Sequence, residues 1–374
     1  MSGVVVTGCG VVSSIGIGRA DFEAAFLEGQ TFTGPAGALA EFGPKAYLGK
    51  KGLRALSRSA LMLAVAAKLA LDDAAITVDE DNHHSLGLVC GTMFGSVHAI
   101  SAFDRSTLED GPKYVNPMHF PNTVINAPAG HVGIKHDLRA VNSTVSAGLA
   151  SGLVALDYGA RLVKEDRVRA VVAGGLDELC EESTLALGHA CKFSTTGKAK
   201  PLAPDADGTV LGEGTALLVL ETAEHAQARG RTKGIRLSGF GSAHPGKAMG
   251  TMEGSAAAAA MAMRSALTVA DVSPQDVGVI VTGASGSPES DRIEQKALEE
   301  VFSADRSAIP VVTPKRQIGE TMGAGGAFAA LAALLFLERD GGPPADHALV
   351  NAFDSQGTCA SLVLSRWDAI TTSG

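Results

Sequence analysis

Apolar residues come in short bursts along this chain, many of them β-branched. Longer stretches separate the bursts, with apolar positions recurring every three or four residues. The bursts at 4–7, 86–90, 141–145, 169–173 and 216–220 predict one series of strands, and those at 234–237, 277–282, 309–313, 349–353 and 361–364 a second. Residues 57–75, 147–164, 255–269, 290–302 and 326–339 predict the helices between them. Strand alternating with helix is the pattern of an α/β fold whose sheets are covered by helices. The two series divide near residues 221–233, so two similar halves are expected, 1–225 and 226–374, within one compact body.

Composition narrows the function classes. The chain has 374 residues, 45% apolar, with 31 basic and 40 acidic side chains, a net charge of −9. An acidic balance argues against a nucleic-acid partner, which needs a concentrated basic surface, and gives no attraction to an anionic membrane. The longest apolar segment, 322–337, is shorter than the ~20 residues that span a bilayer, so it predicts a buried helix. Cys9, Cys90, Cys180, Cys191 and Cys359 show no CxxC spacing, which suggests reduced thiols in a cytoplasmic protein. The opening run Val4-Val5-Val6-Thr7-Gly8 lacks the charged start and apolar stretch of a signal peptide.

The strongest local signal for chemistry is Val141-Asn142-Ser143-Thr144-Val145-Ser146-Ala147-Gly148-Leu149-Ala150-Ser151-Gly152. A strand passes through small residues into an amphipathic helix, which presents a side chain where the helix dipole stabilises an anion. That is a place for a nucleophile, yet the tip is the aliphatic Leu149. The same pattern also serves an ordinary strand–helix turn built from small residues. Other motifs carry less. Gly241-Ser242-Ala243-His244-Pro245-Gly246-Lys247 is followed by Ala248 and lacks the hydroxyl a P-loop uses for Mg²⁺. His83-His84 and His131 with His136 lack a third metal ligand, no metal is expected, and no Gly-x-Ser-x-Gly elbow occurs.

These segments, in order, resemble the β-ketoacyl-acyl carrier protein synthases of the thiolase fold. Val5-Val6-Thr7-Gly8-Cys9-Gly10 is similar to that family's first strand and turn. Pro121-Asn122-Thr123 through Ala129-Gly130-His131 resembles the segment before its nucleophile, and Val172-Ala173-Gly174-Gly175 and Leu211-Gly212-Glu213-Gly214 resemble two further signatures. The resemblance implies duplicated βαβαβαββ halves in a layered α-β-α-β-α architecture. It also implies a cysteine at the tip and two histidines that bind the thioester oxyanion and assist decarboxylation. Here Leu149 stands at the cysteine position. Gly283, in Gly283-Ala284-Ser285-Gly286-Ser287-Pro288-Glu289-Ser290-Asp291, stands at the first histidine. Glu320, in Lys315-Arg316-Gln317-Ile318-Gly319-Glu320-Thr321-Met322-Gly323, stands at the second, with Lys315 retained. Leucine cannot be a nucleophile and glycine offers no side-chain donor. A carboxylate at Glu320 is expected to repel the developing enolate. In Asn351-Ala352-Phe353-Asp354-Ser355-Gln356-Gly357, Ser355 replaces the phenylalanine that gates the family's acyl pocket.

The resemblance therefore implies a non-catalytic chain length factor of a type II polyketide synthase. Such a subunit pairs with an active ketosynthase, shapes a tunnel for chains carried on acyl carrier protein phosphopantetheine, and needs no cofactor of its own. Leucine in place of glutamine at the cysteine position, and a short chain, lean towards a polyene or aryl polyene system. Phe94, in Gly91-Thr92-Met93-Phe94-Gly95-Ser96, and His119 match pocket-lining positions. The alternatives are an acyltransferase or cyclase of altered chemistry using Ser146, Ser151 or Glu320, and a stand-alone acyl-binding homodimer.

Overall fold

Strand β1, Val4–Ser13, is buried along its whole length. The sequence placed a turn at its Gly8–Gly10. The strand instead runs straight through, because those glycines are where helix α1, Arg58–Asp73, lies against it. A β-carbon on Gly10 would sit 2.0 Å from the Ala66 carbonyl oxygen. The structure is a computed structural model that describes residues 3–34, 36–40, 42–302, 309–339, 345–354 and 356–368.

Besides the two-residue strand Gly16–Ile17, which pairs with the end of β1, the remaining strands are β2 Leu86–Gly91, β3 Asn142–Val145, β4 Ala170–Asp177 and β5 Gly214–Thr222, then β6 Lys233–Ala243, β7 Val277–Val281, β8 Val311–Val312, β9 His347–Phe353 and β10 Cys359–Asp368. Between them run α2 Val97–Asp110, α3 Ala127–His136, α4 Ser151–Lys164, α5 Glu181–Ala190, α6 Met252–Ala270, α7 Pro288–Phe302 and α8 Gly325–Glu338. The hydrogen-bonded order among the described residues is β3-β2-β4-β5-β1-β6-β10-β9-β7-β8. Counted within its own series, each half has the order 3-2-4-5-1. Corresponding pairs also share direction: β2–β3 and β7–β8 are parallel, as are β2–β4 and β7–β9. By contrast β4–β5, β9–β10, β1–β5 and β6–β10 are antiparallel. This is the duplicated βαβαβαββ thiolase-like α/β fold.

The halves meet where Val4–Val6 of β1 pair with Leu237, Arg236 and Ile235 of β6. Helix α1 covers the first half and α6 and α7 the second, while α4 and α8 pack between the two. Helix α8 is the buried helix expected at 322–337, apolar on nearly every face, with Phe328, Leu331, Leu334 and Leu335 all inside. Each such side chain contributes about 2 kcal/mol from leaving water. No helix of the described residues is long and apolar enough to cross a membrane.

Candidate functional site

The tip of the β3–α4 junction is a closed turn. Gly148 takes the left-handed conformation (φ +58°) that an L side chain rarely adopts. Ser151, the first residue of α4, is fully buried. Its hydroxyl donates to the Gly148 carbonyl at 2.6 Å and accepts the Ala147 amide at 2.9 Å. The turn thus aims the Leu149 amide away from the helix N-terminus. That N–H is the donor expected to steady an oxyanion, and here it donates to Asp354 Oδ2 at 2.8 Å. The other Asp354 oxygen accepts the Gln356 amide at 2.6 Å. A β-carbon on Gly148 would fall 2.1 Å from the Asp354 carboxylate, so the loop after β9 is seated directly on the turn. A fixed carboxylate thus occupies the Leu149 amide, a backbone donor that could otherwise stabilise negative charge in a substrate.

The Leu149 side chain is equally committed. It packs in an apolar cluster with Met93, Phe94, Leu179, Cys191 and Phe193, over buried Leu187, Leu211 and Met322. The loop carrying Phe94 is fixed by Asp177. Its carboxylate accepts the Met93 amide at 2.8 Å, the Phe94 amide at 3.0 Å, the Thr92 hydroxyl at 2.7 Å and the Gly323 amide at 2.7 Å. Burial pushes the Asp177 carboxyl up to about 6, against the downward pull of those hydrogen bonds.

The other two altered positions are joined by Lys315. Its ammonium donates to Glu320 Oε2 at 2.6 Å and to the Gly283 carbonyl at 2.8 Å, and both side chains are nearly enclosed. The second Glu320 oxygen accepts the Met322 amide at 3.0 Å. The expected repulsion at Glu320 therefore needs correcting, since Lys315 neutralises the carboxylate and hydrogen bonds occupy its oxygens. The position is inert because the pair is closed. Behind it, Glu294 accepts from Asn351 Nδ2 at 3.0 Å and from the Gly283 amide at 3.3 Å. Burial pushes its carboxyl up to about 7.

Five of the sequence-predicted residues thus gather in two adjoining groups, Leu149 with Phe94, and Gly283 with Glu320 and Lys315. His119 lies apart. It is exposed on the 3-10 segment Pro117–Asn122 and lines a cavity of about 530 Å³ with Arg54, Phe103 and Tyr114; Phe94, Leu149, Gly283 and Glu320 are not in its wall. Ser355 lies outside the described residues. Glu213 is a strut that accepts from Arg58 at 2.5 Å and 2.9 Å, the Leu39 amide at 2.9 Å and the Leu179 amide at 3.3 Å. It therefore pins one member of the Leu149 cluster.

Of the alternative nucleophiles, Ser151 is locked in the turn and Glu320 in its ion pair. Cys191, the cysteine beside Glu320, has its thiol pushed up to about 11, by burial first and by Glu320 next, and stays protonated at neutral pH. Of the four paired histidines three are held by hydrogen bonds, whereas His84 is exposed as expected. Buried His83 meets Asp137 at 2.9 Å, His136 meets the Ala64 carbonyl at 2.8 Å, and His131 meets Asn122 at 2.8 Å. Sequence reasoning missed Asp354, whose signal was an acidic residue amid the family's glycine hinges. It also missed Asp177 and Phe193, for which no local signal existed.

Comparison with known proteins adds the lineage. The family model "Beta-ketoacyl synthase, N-terminal domain" matches residues 40–226 and "Beta-ketoacyl synthase, C-terminal domain" matches 235–348. The chain is 28% identical to the 3-oxoacyl-[acyl-carrier-protein] synthase 2 of Vibrio harveyi, over 97% of this chain and 98% of that protein. It is 30% identical to the actinorhodin polyketide beta-ketoacyl synthase 2 of Streptomyces coelicolor, over 89% of this chain and 85% of that one. Among solved structures it is similar to the ishigamide ketosynthase/chain length factor, with a TM-score of 0.85 at 25% identity, covering 97% of this chain and 99% of that chain.

Proposed function

The chain belongs to the β-ketoacyl synthase family, and within that family we propose that it is a non-catalytic, chain-length-factor-like subunit. In this role it pairs with an active ketosynthase and shapes the space available to an acyl chain carried on acyl carrier protein phosphopantetheine. The observation that carries this reading is the closed site. The Leu149 amide is taken by Asp354, and Lys315 is locked to Glu320, both nearly enclosed. Leu149 and Gly283 offer neither a nucleophile nor a side-chain donor and the Leu149 amide is already paired, while the described fold around them is intact.

Two features support a partner. Strand β3 ends the hydrogen-bonded order, so one side of it has no strand neighbour among the described residues, and such edges invite pairing. Tyr114, Met118, Phe120, Val124, Ile125 and Ile134, all between β2 and β3, are exposed apolar side chains of the kind that mark an interface. The matched ishigamide structure is itself of a ketosynthase with a chain length factor.

In this reading Phe94 limits chain length, because it occupies space beside Leu149 and its loop is held by Asp177. Phe94→Ala is expected to lengthen the product made by the complex, read by mass spectrometry of the released chains. Unchanged product lengths would remove Phe94 from that role. The polyene or aryl polyene assignment rests only on Leu149 and the short chain, and the same product analysis decides it.

A further inference from the structure

Two helix starts far apart in sequence meet beside the cavity that His119 lines. His98 is in the first turn of α2 and is part of the cavity wall; Cys180 caps α5 and Glu182 lies in its first turn. An imidazole nitrogen, a thiol sulfur and a carboxylate oxygen from these three residues all lie within 4.8 Å of one another. His98 Nδ1 is 3.0 Å from Glu182 Oε2. None of the three takes part in the Leu149 cluster or the Lys315–Glu320 pair.

We propose that His98, Cys180 and Glu182 form a binding site for a zinc-class divalent cation, with one coordination position left open. The donor set selects the ion. A hard cation such as Mg²⁺ or Ca²⁺ favours oxygen alone, whereas sulfur, imidazole nitrogen and carboxylate together suit a borderline-soft, four-coordinate metal. The spacing is compatible. Tetrahedral zinc with bonds of about 2.0–2.3 Å separates its donor atoms by about 3.3–3.8 Å. The His98–Glu182 pair, 3.0 Å apart, opens slightly to reach that distance, and all three donor atoms already lie within 4.8 Å of one another.

The surroundings also favour a metal-bound sulfur. The Ser183 amide points at Cys180 Sγ at 3.5 Å, and the Ser183 hydroxyl accepts the Cys180 amide at 3.0 Å. This capping box fixes the sulfur at a helix N-terminus, where negative charge is stabilised, and supplies an N–H to a thiolate. Burial holds the Cys180 thiol above its ordinary value, so the metal-free site keeps its proton. Binding replaces that proton: the S–H bond breaks, the sulfur–metal bond forms with the thiolate pair, and the proton leaves to solvent. Three protein donors leave a fourth position for water or an incoming ligand. His98 lines the cavity of about 530 Å³, a size that accepts small molecules, and His98 and Glu182 together line a smaller one of about 250 Å³.

Cobalt(II) titration of the full-length, chelator-treated chain tests this, with the chain in complex with its partner where that is how it is obtained. The expected result is a near-ultraviolet sulfur-to-cobalt charge-transfer band together with four-coordinate visible bands, both displaced by zinc. Cys180→Ser is expected to abolish the sulfur band while leaving the helix capped, since serine is a favoured N-cap. His98→Gln, at an exposed position, is expected to weaken binding at least tenfold. Cys191→Ser is expected to change neither. Absence of the sulfur band, or its persistence in Cys180→Ser, overturns the proposal. So does affinity unaltered by His98→Gln.

Discussion

At the scale of single residues, the buried Lys315–Glu320 pair sets the clearest expectation. Removing one partner strands the other charge in a site that water barely reaches, which costs about 3–5 kcal/mol, whereas replacing both with apolar residues is close to neutral. Lys315→Met is therefore expected to lower the urea midpoint sharply, and Lys315→Met combined with Glu320→Leu to restore most of it. A double variant as unstable as the single one would contradict the pairing. Glu294 gives a pH signature. Its folded carboxyl holds a proton up to about pH 7, while the unfolded one releases it near the ordinary value of 4.5. The native state therefore binds more protons in that window, and stability falls as pH rises through it. Asp291 deepens the effect and Lys315 opposes it. Glu294→Gln keeps an acceptor for Asn351 and removes the charge. Its stabilisation is expected to be larger at pH 8 than at pH 5, by on the order of 2 kcal/mol. An equal gain at both pH values would show that Glu294 does not titrate as described. Leu149, Gly283 and Glu320 could be singled out in the sequence because each sits inside a stretch whose other residues keep the register of the family resemblance. Their partners were only half legible. Lys315 stood five residues from Glu320, but burial of both could not be read from spacing. Asp354 reaches the Leu149 amide across 205 positions, where no local pattern operates.

At the scale of elements, the alternation of β-branched bursts and helical periods revealed the α/β class and most of the strands. The ends were less legible. Strand β1 runs to Ser13, not to residue 7, because Gly8 and Gly10 are contact points for α1 rather than turn residues. Helix α4 starts at Ser151, not at 147, because Ala147–Ala150 form the turn that Ser151 locks. Helices α2, α3 and α5 were not predicted at all. The α2 helix buries no residue, although its apolar positions do recur at helical spacing. Gly10→Ala tests the contact: with a methyl forced against the Ala66 carbonyl, β1 and α1 must separate, and a loss of about 3 kcal/mol is expected in urea unfolding. A change under 1 kcal/mol would mean that helix and strand adjust more freely than this packing allows.

At the scale of the whole molecule, the same strand order appears twice, and the two central helices α4 and α8 hold the halves together. The Leu149 turn stands at the head of α4 and the Lys315–Glu320 pair shortly before α8. In the proposed role, the chemistry is closed at the start of both helices while the scaffold that carries them is kept. A fold retained around a shut site is the expectation for a subunit that acts through its surface and the space it encloses. The exposed edge of β3 and the apolar side chains between residues 114 and 134 are where a partner is expected to sit. The central claim meets its most direct test in one turnover assay with malonyl-loaded acyl carrier protein. This chain, a ketosynthase that carries a Cys-His-His triad and co-purifies with it, and their complex are compared under the same conditions. The account predicts chain elongation by the complex, and none by this chain alone at any concentration. Elongation or decarboxylation by the isolated chain would contradict it.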